Sequence, residues 1–368
     1  MSAIIKFGSC GEISAPFLNV FQDTAIVQEE CVLREVHLKI VEFIGYFIDY
    51  VTRLARDQNG SRLIQAKLEE ATAWERDCIL VGIAPRALQL MCDPFGNYVI
   101  QKLLEFGTPD QRSGVAELMR RNVVALSYDL YGCRVVQTAI QNLPRYLQAA
   151  LLLELEGSIV GLIEDENGNH VIQKCVEYVD SSLLDSLVAS LQGQVVKLCM
   201  HPFGCRVIQR ILEHCNQTQV NSVLMEVHLE SKRLIMDQYG NYVIQYILTH
   251  GWPGDKAQVI GQLKGCVTSL AQHKYASNVV EKAIECASIP ERRSLVSEII
   301  EDDQTLINLT KHPFGNYVLQ RILESVDVGN QRLLLSRLYP HLGTLKKYSY
   351  ARYVIGKMEM HKLLTPYI

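Results

Sequence analysis

The sequence predicts an all-α protein built as a solenoid of eight helical repeats. Three observations carry that expectation: a short pattern recurs eight times, the copies are evenly spaced, and apolar residues inside each copy follow helical spacing. The copies are DQNGSRLIQ at 57–65, DPFGNYVIQ at 93–101, DLYGCRVVQ at 129–137 and ENGNHVIQ at 166–173, then HPFGCRVIQ at 201–209, DQYGNYVIQ at 237–245, HKYASNVVE at 273–281 and HPFGNYVLQ at 312–320. The residue after the small one falls at 61, 97, 133, 169, 205, 241, 277 and 316, so six intervals are 36 residues and the last is 39. A period of this length marks units that bury their apolar faces only against their neighbours. Val99, Ile100, Leu103 and Leu104 show the i, i+3, i+4 spacing of a helix, and alternating strand patterns with hairpin signals are absent.

Within each unit a turn such as Pro-Phe-Gly or Gln-Tyr-Gly, with Pro94, Pro202 and Pro313 as its prolines, precedes the motif and places it at the start of the unit's second long helix. Gly60, Gly96, Gly132, Gly168, Gly204, Gly240 and Gly315, with Ala276 in the seventh copy, keep that entrance small for tight packing. Numbering the motif one to five, as in Asn97, Tyr98, Val99, Ile100 and Gln101, positions three and four are aliphatic throughout and are expected to face the core. Positions one and five lie one helical turn apart with position two beside them, so three side chains per repeat are expected to project along one surface.

Composition is that of a folded protein, 48% hydrophobic and 21% charged. Eleven cysteines, odd in number, scattered and without a CxxC pair, point to reduced thiols and away from a zinc ribbon or disulfide framework. The start, MSAIIKFGSCGEISAPFLNV, is cut by Gly8, Gly11 and Pro16 and makes a poor signal peptide, and no apolar run approaches a membrane span. A soluble cytoplasmic protein without membrane association is expected. His201 with Cys205 belongs to a repeated turn and His214 with Cys215 is isolated, so neither suggests a metal site or nucleophile, and with no convergent carboxylates or phosphate loop neither an enzyme nor a cofactor is expected.

The residue types at the projecting positions suit nucleobases. Position two is Arg62, Tyr98, Arg134, His170, Arg206, Tyr242, Asn278 and Tyr317 in order, mostly planar groups able to stack between bases. Position one alternates Ser61, Asn97, Cys133, Asn169, Cys205, Asn241, Ser277 and Asn316. Position five is Gln65, Gln101, Gln137, Gln173, Gln209, Gln245 and Gln320, with Glu281 the exception. Amides offer a donor and an acceptor side by side, whereas a carboxylate only accepts, which singles out guanine with its adjacent N–H donors as the partner of Glu281. A merely hydrophilic outer face would carry Lys and Glu here. The net charge of −4 opposes a nucleic-acid partner on average, but Arg62, Arg134, Arg206 and the groups just past the motif, Lys102, Lys174, Arg210, Lys282 and Arg321, face only Glu281 on this surface. A basic track for phosphates is expected there, with the acidic residues elsewhere.

The ordered pentapeptides SRLIQ, NYVIQ, CRVVQ, NHVIQ, CRVIQ, NYVIQ, SNVVE and NYVLQ resemble those of the PUF family, the Pumilio-type RNA-binding proteins, over about residues 33–368. The resemblance implies a right-handed curved α-solenoid of eight Pumilio repeats with terminal capping half-repeats, reading one base of single-stranded RNA per repeat. It implies an N-terminal segment at 1–32 and a Pumilio-homology domain at 33–368, with repeats near 50–85, 86–121, 122–157, 158–193, 194–229, 230–265, 266–304 and 305–341 and a cap at 342–368. In that family Asn with Gln reads uracil, Cys or Ser with Gln reads adenine, Ser with Glu reads guanine, and the last repeat takes the 5′ base. Carried over, the implied target is 5′-UGUAUAUA-3′ in mRNA 3′ untranslated regions. The family role further implies repression or decay of bound messages through co-repressors or deadenylation machinery, by a monomer. YSYARYVIGK at 348–357 resembles a degenerate ninth motif, and Gly356 at its fifth position marks it as a cap. The alternatives are an armadillo- or HEAT-like protein-binding scaffold, which would show a ladder of Asn or Trp, and a PUF-related binder of structured RNA, which would show eroded triplets.

Overall fold

The computed structural model describes residues 42, 44–325 and 328–360, so the expected N-terminal segment 1–32 lies outside the described residues. Among the described residues every regular element is an α-helix or a short 3₁₀ turn. From the second repeat to the seventh, a unit contributes a short helix of 5 or 6 residues, a motif helix of 11 and an outer helix, as in Val123–Tyr128, Gly132–Asn142 and Arg145–Leu155. The motif therefore opens the middle helix of three, and the helix before it is short where the sequence suggested a long one. The outer helix and the entrance turn leave room between them for little more than a turn of helix.

The motif helices, Gln58–Glu70, Gly96–Phe106, Gly132–Asn142, Gly168–Tyr178, Gly204–His214, Gly240–His250, Ala276–Cys286 and Gly315–Ser325, pack each on the next in chain order. Positions three and four are buried from Val99 and Ile100 to Val318 and Leu319. They belong to one continuous apolar core running from Val51 to Met358, as expected when each unit is covered only by its neighbours. Leu63 at position three of the first repeat departs from the pattern and is 56% exposed, since among the described residues no earlier motif helix lies beside it.

The entrance has a steric reason and a polar one. A Cβ on Gly96 would lie 2.8 Å from Leu90 Cδ2 and 2.9 Å from the Leu90 carbonyl, so the motif helix starts pressed against the preceding short helix. Asp93 Oδ1 accepts the N–H groups of Phe95 and Gly96, both at 2.9 Å, satisfying donors that a helix start leaves open. Asp57, Asp129, Asp165 and Asp237 do the same. In repeats five, seven and eight a histidine substitutes: Nδ1 of His201, His273 and His312 accepts the two equivalent N–H groups at 3.2–3.3 Å. On the outer side Thr72, Thr108, Asn216 and Ser288 close capping boxes with Glu75, Gln111, Gln219 and Glu291. No helix among the described residues is long and apolar enough to cross a membrane.

Candidate nucleic-acid interface

The entrance turn sets the direction of position one. Ser61, Asn97, Cys133, Asn169, Cys205, Asn241, Ser277 and Asn316 are all buried rather than projecting as the sequence suggested. Each sits in the first helical turn, where a short polar side chain reaches back to the carbonyls of the entrance. Asn169 Nδ2 donates to the Asp165 and Glu166 carbonyls at 2.8 and 2.9 Å, and Asn241 and Asn316 repeat this pair of bonds. Asn97 donates to the Asp93 carbonyl at 2.7 Å. Ser61 and Ser277 donate to carbonyls three residues back, and the Cys133 and Cys205 thiols lie 3.5 Å from theirs. Burial raises both thiol pKa values, so these groups are neutral SH at pH 7.

One turn on, the eight position-five side chains are half-buried and line the surface above position one. In all four Asn repeats the glutamine Nε2 donates to the asparagine Oδ1: Gln101 to Asn97 and Gln173 to Asn169 at 2.8 Å, Gln245 to Asn241 at 2.9 Å, Gln320 to Asn316 at 3.0 Å. Because the asparagine amide is anchored by its own donors, this bond orients the glutamine amide and leaves one N–H and the Oε1 for an outside partner. That adjacent donor and acceptor match the carbonyl and N3–H of uracil. In the Cys repeat of Gln209 the amide turns instead to the Cys205 backbone carbonyl at 3.0 Å, so its orientation is not imposed by a neighbouring side chain. Glu281 accepts only, and burial pushes its carboxyl above the usual carboxylate range, opposed chiefly by the charge of Arg321.

Position two is exposed in every repeat, at Arg62, Tyr98, Arg134, His170, Arg206, Tyr242, Asn278 and Tyr317. Stacking groups of adjacent repeats meet: Arg134 Nη1 lies 3.4 Å from the Tyr98 hydroxyl, and the Arg206 guanidinium stands 5.3 Å from the Tyr242 ring centroid. Planar groups so spaced can exchange these contacts for stacking on a planar ligand.

The charge expected beside the motif needs correcting. Lys102 pairs with Glu69 and Glu105 at 2.8 and 3.0 Å, Lys174 with Glu177 at 2.7 Å and Lys282 with Glu285 at 3.0 Å. Arg210 pairs with Glu177 and Glu213, and Arg321 with Glu324. The acidic residues therefore stand one turn further along the same helices, and with those six carboxylates beside Glu281, eight positive groups face seven negative ones. Arg62, Arg134 and Arg206 make no ion pair with a described carboxylate. A basic residue three before a glutamate, in KLLE, KCVE, RILE and KAIE, was the visible signal. Sequence reasoning also missed Thr138, which occupies the place after position five in the third repeat. Its hydroxyl lies 3.1 Å from Gln101 Oε1 in the second repeat. The capping motif at 348–357 packs its helix, Ala351–Met360, on the eighth motif helix with Arg352 and Tyr353 exposed.

The model of the PUF family, the Pumilio-family RNA binding repeat, matches the chain eight times, at 50–84, 86–117, 122–156, 158–191, 194–228, 233–263, 266–300 and 306–338. Among curated relatives, Pumilio homolog 4 of Arabidopsis thaliana is 43% identical over 65 residues, 18% of this chain and 6% of that protein. The mRNA-binding protein PUF3 of Saccharomyces cerevisiae is 35% identical over 102 residues, 25% of this chain and 12% of that protein, so these matches span a small part of the relatives' length. Among solved structures, PUF-8 in complex with PBE-RNA superposes with a TM-score of 0.81 at 30% identity, covering 85% of this chain and 94% of that one. The Puf3 RNA binding domain bound to a Cox17 RNA 3′ UTR recognition sequence gives 0.76 at 33% identity, covering 85% and 95%.

Proposed function

Because the chain belongs to the PUF family of Pumilio-type RNA-binding repeat proteins, we propose that it binds single-stranded RNA sequence-specifically, with 5′-UGUAUAUA-3′ as its target. The observation that carries this reading is the ladder of position-one and position-five pairs on consecutive motif helices, with the glutamine amide held by asparagine wherever uracil is assigned. From the 5′ end, Asn316 and Gln320 read U, Ser277 and Glu281 G, Asn241 and Gln245 U, and Cys205 and Gln209 A. Asn169 and Gln173 then read U, Cys133 and Gln137 A, Asn97 and Gln101 U, and Ser61 and Gln65 A. Position two stacks between the bases. Lys102, Lys174, Arg210, Lys282 and Arg321 lie near the phosphates but exchange a carboxylate for each phosphate they meet.

Two similar structures hold RNA, one of them a 3′ UTR recognition sequence, which supports mRNA 3′ untranslated regions as the site of action. Repression or decay of bound messages in the cytoplasm, by a monomer that recruits co-repressors or deadenylation machinery, completes the proposal and rests on the family role. Selection of the protein on randomised RNA tests all eight assignments, with UGUAUAUA expected and an unrelated or featureless consensus refuting them. The double change Ser277→Asn with Glu281→Gln is expected to switch the second base from G to U. Retention of G there would sink the assignment of that repeat.

A further inference from the structure

In the third repeat the residue that follows the motif, called position six, lies against position five of the repeat before it. Thr138 sits 37 residues after Gln101, yet its hydroxyl is 3.1 Å from Gln101 Oε1 and shares its one proton between that oxygen and the Arg134 carbonyl of its own helix, 3.0 Å away. Asn97 holds the other end of the same amide at 2.8 Å, so Gln101 is gripped from two repeats at once. The seventh and eighth motif helices pack on each other as the second and third do. There Arg321 of the eighth repeat takes the place of Thr138 and Glu281 of the seventh the place of Gln101. Arg321 gives a terminal nitrogen to Glu324 at 3.0 Å, while its Nε is buried without a hydrogen-bond partner.

We infer that position six is a specificity-determining position, acting across the repeat boundary: Thr138 positions Gln101 for the seventh base, and Arg321 positions Glu281 for the second. This rests on the base-by-base reading proposed above. Uracil and cytosine differ at N3, a donor in one and an acceptor in the other, so discrimination at the seventh base depends on where Gln101 holds its Oε1. Thr138 restrains that oxygen without closing it, since an amide oxygen carries two lone pairs. Guanine recognition needs Glu281 ionised. Burial disfavours that form; Arg321 on the eighth motif helix and Lys282 on its own helix favour it, and Glu324 beside Arg321 opposes it.

The test is RNA-binding selection and titration with octamers varied at one base, on the native protein and on Thr138→Val and Arg321→Gln. Thr138→Val is expected to lower the preference for U over C at the seventh base roughly two- to three-fold, the size of a weak hydrogen bond whose proton is shared. The fifth base, read by Gln173 with Arg210 across the boundary, keeps its preference. Arg321→Gln is expected to weaken the preference for G at the second base on the order of ten-fold, as for a charged partner. That loss should deepen as the pH is lowered, because a buried carboxyl without its opposing cation protonates earlier. Thr138→Ser and Arg321→Lys restore both preferences. Unchanged profiles at bases two and seven, or losses spread evenly over all eight, in a protein whose native octamer preference is intact, overturn the inference. A native protein with no octamer preference overturns the base-by-base reading, and this inference with it.

Discussion

Raising the salt concentration should weaken RNA binding only mildly, and the ion pairs beside the motif are the reason. A lysine that leaves a carboxylate for a phosphate hands its old partner back to the bulk cations, so the exchange releases few counterions in total. All five basic groups just past the motif are engaged in this way, which leaves Arg62, Arg134 and Arg206 as the stacking-face cations without an ion pair to a described carboxylate. Single-stranded binding loses about 0.7 in the log–log slope for each phosphate neutralised, so three free arginines predict a slope of about −2, against about −5.6 for eight free groups. Between 50 and 200 mM KCl the first slope costs roughly 20-fold in affinity and the second more than about 2000-fold. Fluorescence anisotropy with a labelled UGUAUAUA oligonucleotide across that range measures it. Glu285→Gln, which removes the carboxylate paired with Lys282, should steepen the slope by about 0.7. A native slope of −4 or steeper, or no change in Glu285→Gln, would refute the claim that exchanging a carboxylate for a phosphate cancels the counterion release.

Other expectations follow from single positions. Arg121 has a φ of 65° where the corresponding turns carry Gly157, Gly193 and Gly265 at 75–80°. Arg121→Gly should stabilise the protein by about 0.5–1 kcal/mol after glycine's own entropy cost, raising the melting midpoint by roughly 1–2 °C, and a lower midpoint would contradict it. Burial holds the His312 pKa below its ordinary value, and its Nδ1 must stay unprotonated to cap the eighth motif helix. A folded pKa below the unfolded one means the unfolded chain binds the extra proton. The contribution of His312 is therefore complete above the unfolded value of about 6.5 and is lost as pH falls below it. Melting at pH 7.5 and 5.5 should show less acid loss in His312→Asp, which copies the cap of Asp93, and equal loss in both proteins would exclude this cap as a source of acid sensitivity.

The repeat architecture was readable from the chain because each structural role recurs eight times and obeys local rules. Helical spacing, the small residue at the entrance and the aliphatic pair at positions three and four are short-range properties, and each copy checks the others. The candidate reading residues were readable for the same reason, since Asn, Cys or Ser followed by Gln or Glu four residues later is a statement about one helical turn.

The direction and partners of those side chains were settled by tertiary packing. Position one looks like a projecting group on a helical wheel, but the tight entrance turns it inward to carbonyls at 2.7–3.0 Å in the Asn repeats, leaving it to orient the glutamine above. Lys102 reads as a phosphate ligand until the neighbouring helix brings Glu69 to 2.8 Å. Thr138 reads as nothing in particular until Gln101 lies against it. Sequence determines which groups each turn of helix offers. Which of them meet across a repeat boundary depends on how closely two helices pack, and a hydrogen bond made or lost over a few tenths of an ångström separates a base reader from a residue that positions one.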